Sequence, residues 1–342
     1  MNQSLPRPDP IKQLPVVVLL LKTSCNCRCV MCDIWKDTQH SELPVEVITG
    51  LLPQLARLHT REISLSGGEP LMHTRIEEIC RAVKSANISL SLTTTGLLLK
   101  KHAAWVSECI DRIYVSLDGP ETIHNTIRNI PNAFGKIADG INAVRRNEIS
   151  IKIGGRCTVH RQNFRHMRET VSAAEMLGMD NISFLAADVQ PGNFGRQPGW
   201  KENNLALTEE ELPELKTELN RLFNEKAGYF KKGFIVESRE KLERRIYGYY
   251  HALAARSDYP PVQCNAPWGS TVIETDGRVR PCFFHKPYPG RVMDQTLIGI
   301  LNSDEALDWR RTLNVGANRT CQTCVCSLSL AKLDSRQKHD SF

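Results

Sequence analysis

Between residues 16 and 186, short apolar runs alternate with longer amphipathic segments at nearly regular spacing. The runs Val16–Leu21, Glu62–Leu65, Ile88–Thr93, Arg112–Leu117, Ser150–Thr158 and Asn181–Ala186 predict strands. The segments Pro44–Leu58, Arg75–Ala86, Lys101–Cys109, Asn132–Arg146 and Phe164–Leu177 place apolar residues three or four apart and predict helices with one buried face. Strands alternating with helices imply a parallel sheet with right-handed crossovers. The predicted class is therefore α/β, a partial (β/α)6 barrel of TIM-like design, whose reactive groups collect at the carboxyl ends of the strands.

Past residue 187 this rhythm stops. Asp188–Asn204 is rich in Gly, Pro and Asn and predicts a long loop placed to act as a lid. A helix is predicted from Thr208, with Glu211 completing a capping box and Leu212, Leu215, Leu219 and Leu222 on its core face. Pro260-Pro261 marks a boundary, after which Asp276-Gly277 between two short apolar stretches predicts a hairpin with a type I′ turn. The expected organisation is an extension (1–13), a barrel core (14–205), a helical connector (206–260), a small Cys-rich hairpin-plus-helix domain (261–330) and a polar tail (331–342).

Composition narrows the class. The 342 residues are 41% hydrophobic, ordinary for a globular chain, and the apolar run at Val16–Leu21 is far shorter than the ~20 residues of a membrane span. No signal peptide is recognisable, so the expectation is a cytoplasmic protein without a membrane partner. The net charge of +6 comes from scattered residues, with no basic stretch of the kind that marks a nucleic-acid site.

Twelve cysteines in a chain without a secretory signal point to metal ligation rather than disulfides. Cys25-x3-Cys29-x2-Cys32 follows the first predicted strand. Three thiolates at this spacing suit a cluster of four irons with one iron left open. Zinc suits it poorly, because a structural zinc site takes four ligands and the next histidine, His40, lies eight residues on. A second group, Cys264, Cys282, Cys321 and Cys324, with Cys326 as a substitute for Cys324, suits an iron–sulfur cluster or a zinc ribbon equally on spacing alone. The remaining motifs fall at predicted strand ends: Gly67-Gly68-Glu69-Pro70, Thr94-Thr95-Gly96 and Ser116-Leu117-Asp118-Gly119.

Taken together, the segment Thr23–Cys32, the run Ser66–Pro70, and Ser116–Pro120 with His124 and Arg128 resemble the radical S-adenosylmethionine (SAM) superfamily, in its branch with a SPASM or shortened "twitch" carboxyl-terminal domain. The resemblance covers about residues 14–330. It implies that Cys25, Cys29 and Cys32 hold a [4Fe-4S] cluster whose fourth iron is chelated by SAM, and that Cys27 is a packing residue. It also implies that Gly67, Gly68, Glu69 and Pro70 meet the methionyl amino group, Ser116 the ribose, Arg128 the methionyl carboxylate and Leu185 the adenine. With five cysteines after residue 260, the second site resembles the shortened form with one auxiliary [4Fe-4S] cluster. Met31 stands where relatives often carry an aromatic residue.

The resemblance implies an enzyme that reductively cleaves SAM to a 5′-deoxyadenosyl radical, fed by an electron donor such as flavodoxin or ferredoxin. The radical would take hydrogen from a small-molecule or natural-product substrate, a sugar, nucleoside or amino-acid derivative, with net oxidation as one outcome. About a dozen residues precede the first strand, so no amino-terminal peptide-recognition domain is expected; a peptide-modifying maturase is the alternative within the same chemistry. A non-catalytic zinc scaffold is the alternative of another class. Asp188, Arg156 and Lys152 qualify by position as acid or base, and side-chain alternation in strands leaves the choice among them open.

Overall fold

The computed structural model describes residues 10–148, 150–197, 200, 205–254, 257–326, 328 and 330. The predicted tail lies outside these residues, as do most of the extension and part of the 188–204 loop. The strands are β1 (Val16–Lys22), β2 (Glu62–Gly67), β3 (Ser89–Thr94), β4 (Arg112–Ser116), β5 (Lys152–Val159), β6 (Asn181–Ala186), β7 (Ser270–Ile273) and β8 (Val279–Arg280). The helices that concern the site are α1 (Val45–Arg57), α2 (Ile76–Ser85), α3 (Leu99–Cys109), α4 (Glu121–Arg128), α5 (Ala133–Asn147), α6 (Met167–Met176) and α7 (Leu212–Glu225). The fold is α/β, and β1–β2, β1–β7, β4–β5 and β5–β6 are all parallel pairs.

The chain divides into two compact units. One comprises residues up to Thr23, His40–Ser91 and those from Pro261 on; the other comprises Ser24–Gln39 and Leu92–Pro260. In the first, β1 lies between β2 and β7, in register Val16↔Glu62 on one side and Val16↔Ser270 on the other. Parallel sheets are characteristically covered on both faces, because their crossover connections pack against them. Accordingly Val16, Val17, Val18, Leu19 and Leu21 are all buried, which is why this strand reads as an unbroken apolar run rather than an alternating one. The carboxyl-terminal hairpin thus extends the sheet through β7.

The turn of that hairpin differs from expectation. Gly277 has φ +82°, Asp276 does not share the left-handed region, and the Gly277 N–H donates to Glu274 O at 2.9 Å. The Glu274 N–H donates in turn to Arg278 O at 2.9 Å, so the connection has three residues, with glycine in the left-handed position, instead of the two of a type I′ turn.

In the second unit β4, β5 and β6 are joined in register Ser116↔Arg156 and Thr158↔Leu185. Ile113, Val115, Ile153, Cys157 and Ile182 form one fully buried face. Tyr114, Arg156 and Thr158 alternate with them on the opposite face. One helix, α4, went unrecognised in the hydrophobic pattern because its buried side consists of His124, Ile127 and Arg128, two of them polar. The predicted capping box is present, with Thr208 and Glu211 exchanging bonds ahead of α7, and Leu212, Leu215, Leu219 and Leu222 are buried. Among the described residues no helix is long and apolar enough to cross a membrane.

Candidate metal centres

The loop after β1 carries the first thiols. Cys27 and Cys29 are buried with Met31, Ile127, Val189 and Leu205, and the half-buried Cys25 and Cys32 pack against this cluster. The loop has little regular structure of its own, so its amide groups find partners elsewhere. Arg28 N donates to Arg128 O at 3.2 Å and Val30 N to Ile127 O at 3.1 Å, which fastens the loop to the last turn of α4. A cleft of about 540 Å³ opens at Cys25, between Arg28, Trp35 and Ile130.

Arg128 ties this loop to β4. Its Nη2 lies 2.5 Å from Asp118 Oδ2, and Nη1 donates to Cys29 Sγ at 3.4 Å. Asp118 is completely buried and accepts the Thr158 N–H at 2.9 Å through Oδ1. The Cys27 thiol hydrogen-bonds Cys29 and lowers the Cys29 pKa from the usual thiol range; burial opposes this and the Arg128 charge assists it. At Cys32 burial wins and pushes the thiol up to about 11, against the lowering effect of the Ile34 backbone N–H and of the Arg196 and Arg128 charges. Arg128 Nε is buried and lacks a hydrogen-bond partner. Soft thiolate donors, one already biased toward its anion, with an unsatisfied buried cationic donor alongside, fit an iron–sulfur cluster.

The other residues expected to meet SAM fall as follows. Gly67, at the end of β2, has φ +125°, and a Cβ there would stand 2.6 Å from Lys22 O; the Gly68 N–H donates to the same carbonyl at 2.8 Å. Glycine is thus demanded by the close approach to β1. Glu69 is fully buried and its Oε1 caps the Leu71 N–H at 3.0 Å, while Pro70 begins a short 3-10 turn. Ser116 ends β4 half-buried, opposite Arg156, and Leu185 is half-buried on β6. The unit that holds the first cysteines therefore also holds Ser116, Arg128 and Leu185, whereas Gly67–Pro70 belongs to the other.

The second group of thiols shares one region, where Cys264 packs against the cluster that buries Cys321, but among the described residues no three of them stand together at metal-ligand spacing. Cys264 and Cys282 both act electrostatically on Cys321 and on Cys324, and Cys326 acts on Cys282 and Cys324. Burial raises the thiols first: Cys282 to about 11, Cys321 to about 12, and Cys324 well above the ordinary value. Cys326 is exposed, and its N–H donates to Cys324 Sγ at 3.3 Å. Cys321 is buried and Cys264, Cys282 and Cys324 are half-buried; thiols of this kind lose their protons to a thiophilic metal group, which the donor set fits by its chemistry.

Sequence reasoning passed over several residues. His285 is buried with Nε2 3.3 Å from Cys321 Sγ and an edge-on contact to Trp309; an isolated histidine between hairpin and helix carries no spacing signal. Asp118, inside the Ser116–Gly119 motif, carries no spacing signal of its own for the ion pair it makes with Arg128. Asp188, considered as an acid or base, is buried and bound to Asn193 and Arg196. Arg156 lies 5.2 Å from the Tyr114 ring, and Lys152 reaches Asp180 at 3.9 Å on the surface.

Comparison with known proteins completes the picture. Residues 20–174 match the model of the radical SAM superfamily, and residues 264–325 match SPASM, an iron–sulfur cluster-binding domain. Among curated proteins, a probable GTP 3′,8-cyclase of Methanocella arvoryzae is 35% identical over 126 residues, which are 36% of this chain and 41% of that protein. An AdoMet-dependent heme synthase of Methanosarcina barkeri is 30% identical over 211 residues, 55% of this chain and 59% of that one. The chain thus spans about half the length of these relatives. Among solved structures, Streptococcus suis SuiB bound to S-adenosylmethionine has the same fold, with TM-score 0.63 at 13% identity over 93% of this chain and 73% of that one. Native anSMEcpe with bound AdoMet and a peptide gives 0.64 at 19% over 91% and 86%. Residues 20–174 are therefore a radical SAM domain and residues 264–325 a carboxyl-terminal iron–sulfur cluster-binding domain of the SPASM kind.

Proposed function

We propose that this protein is an enzyme that cleaves SAM reductively and uses the resulting radical on a small-molecule or natural-product substrate. The observation that carries the reading is the Cys25–Cys32 loop, in which Cys29 is held toward thiolate by Cys27 and Arg128, within a chain of this family. The family's cofactors are a [4Fe-4S] cluster and SAM, and the SPASM region binds further iron and sulfur. When bound and reduced, they supply a 5′-deoxyadenosyl radical able to remove a hydrogen atom from carbon.

In this reading Cys25, Cys29 and Cys32 hold the first cluster. Gly67, Gly68, Glu69 and Pro70 receive the amino end of SAM, Ser116 its ribose, Leu185 its adenine and Arg128 its carboxylate, for which the unsatisfied Nε is the remaining donor. Asp118 keeps Arg128 oriented, and the Cys27 S–H and Arg128 together offset negative charge on Cys29. Cys264, Cys282, Cys321 and Cys324 hold the auxiliary cluster, with the exposed Cys326 outside the ligand set. Electrons come from a small redox protein of the flavodoxin or ferredoxin kind.

A substrate of small-molecule class is supported by relatives named for heme synthesis and GTP cyclisation. The structures with bound peptide share the fold alone. Protein reconstituted anaerobically with iron and sulfide, reduced and given SAM, is expected to release 5′-deoxyadenosine by mass spectrometry, and Cys29→Ala to release none. Zinc without sulfide in the purified protein, or cleavage retained in Cys29→Ala, would refute the reading.

A further inference from the structure

The cluster loop is gripped from two sides, by α4 as described and by the segment that follows β6. Arg196 is the centre of the second grip. Its side chain and that of Asp188 are each 1% exposed, and Nη1 lies 3.0 Å from Asp188 Oδ1. Nη1 also donates to Gln190 O at 3.2 Å, and Nη2 donates to Met31 O at 2.6 Å, on the residue just before Cys32. The guanidinium lies 4.2 Å from the Trp200 ring and 5.5 Å from that of Phe194. Asn193 holds both Asp188 oxygens at 3.2 Å. The neighbouring backbone completes the contact, since Asp33 N donates to Phe194 O at 2.9 Å. Gly195 has φ +77°, and a Cβ there would stand 2.7 Å from Ile34 N and 2.8 Å from the Asp33 carbonyl carbon.

A buried ion pair is weak evidence of added stability, because desolvation offsets most of its attraction. This one instead fixes geometry. With the Met31 carbonyl held by the guanidinium, the peptide plane that leads into Cys32 is held too, and with it the direction of the Cys32 thiol. Three thiolates bind one cluster only if all three are presented together. We propose that Arg196, oriented by Asp188, is a positioning residue for the amino-terminal cluster, acting through the Met31 carbonyl on Cys32. The proposal rests on the reading that Cys25, Cys29 and Cys32 hold that cluster.

The test uses the full chain, reconstituted anaerobically, in wild-type form and as Arg196→Gln, Gly195→Ala and the triple variant Cys25→Ala/Cys29→Ala/Cys32→Ala. The paramagnetic resonance signal that changes when SAM is added to reduced wild-type protein is attributed to the first cluster if the triple variant lacks it. Arg196→Gln is expected to retain that cluster about 10-fold to 100-fold more weakly on challenge with an iron chelator, as outer-shell substitutions do. The SAM-insensitive auxiliary signal should stay at wild-type strength. Gly195→Ala separates the loops without touching the ion pair and should show the same selective loss, which decides the matter if Arg196→Gln does not fold. The clamp alone fails if the triple variant loses the SAM-sensitive signal while both single variants keep it unchanged, or if both lose the two signals in parallel. A triple variant that keeps the signal overturns the cluster assignment and the clamp with it.

Discussion

Removing the charge of Asp118 gives a sharp test of how the site is held. Asp118 is 0% exposed and Arg128 is 8% exposed, and they meet at 2.5 Å. Asp118→Asn can keep the Oδ1 bond to Thr158 N, so the substitution mainly strips Arg128 of its counter-ion. Breaking one side of a buried pair costs about 3–5 kcal/mol, because the surviving charge stays desolvated. With a denaturant slope of about 3 kcal/mol per molar urea, the midpoint should fall by roughly 1–2 M. The assay is urea unfolding of metal-free, fully reduced protein, followed by circular dichroism. Arg128→Met should cost a similar amount, since it leaves the buried carboxylate alone. The double variant should be less destabilised than the sum of the two, by about 2–3 kcal/mol of coupling. A single-variant loss below about 1 kcal/mol, or plain additivity, would show that the pair is not the tie between β4 and α4 that its geometry indicates.

Further outcomes are expected. His160 is fully buried, and burial lowers its pKa to about 4, so it folds neutral. A depressed folded pKa contributes stability above about pH 6.5 that is lost as pH falls toward about 4, about 3 kcal/mol in all; metal-free His160→Gln should show a shallower acid loss of urea stability than wild type. Cys324→Ser should abolish the SAM-insensitive cluster signal whereas Cys326→Ser keeps it, and equal loss in both would put Cys326 among the ligands. Gly67→Ala, which forces a Cβ against Lys22 O at a strained φ, should lower stability by about 1–3 kcal/mol in the same urea assay. A variant as stable as wild type would mean that β1 yields easily where its pairing with β2 shifts register, between Leu20 and Lys22.

Much of the molecule could be read without coordinates. Period and run length located all six strands from β1 to β6 to within two residues at either end, because β1 is an unbroken apolar run and the others set apolar residues on one buried face at alternate positions. The cysteine spacing indicated metal chemistry because thiolate ligands from one loop must follow one another at short intervals. The helix that fastens the cluster loop, α4, was invisible to the same method, since it buries an arginine and a histidine where the pattern expects leucine.

The sequence by itself determined the α/β rhythm, the two groups of thiols and the resemblance to the radical SAM superfamily, each being local in the chain or a matter of residue type at fixed spacing. Tertiary structure alone decided which polar side chains stand behind those loops and thiols. Arg128 reaches Cys29 and Asp118, Arg196 reaches Met31 across 165 positions, and His285 reaches Cys321 across 36. Such contacts leave no periodic trace, because a buried polar side chain is chosen by what it meets in space and its partner lies wherever the fold returns.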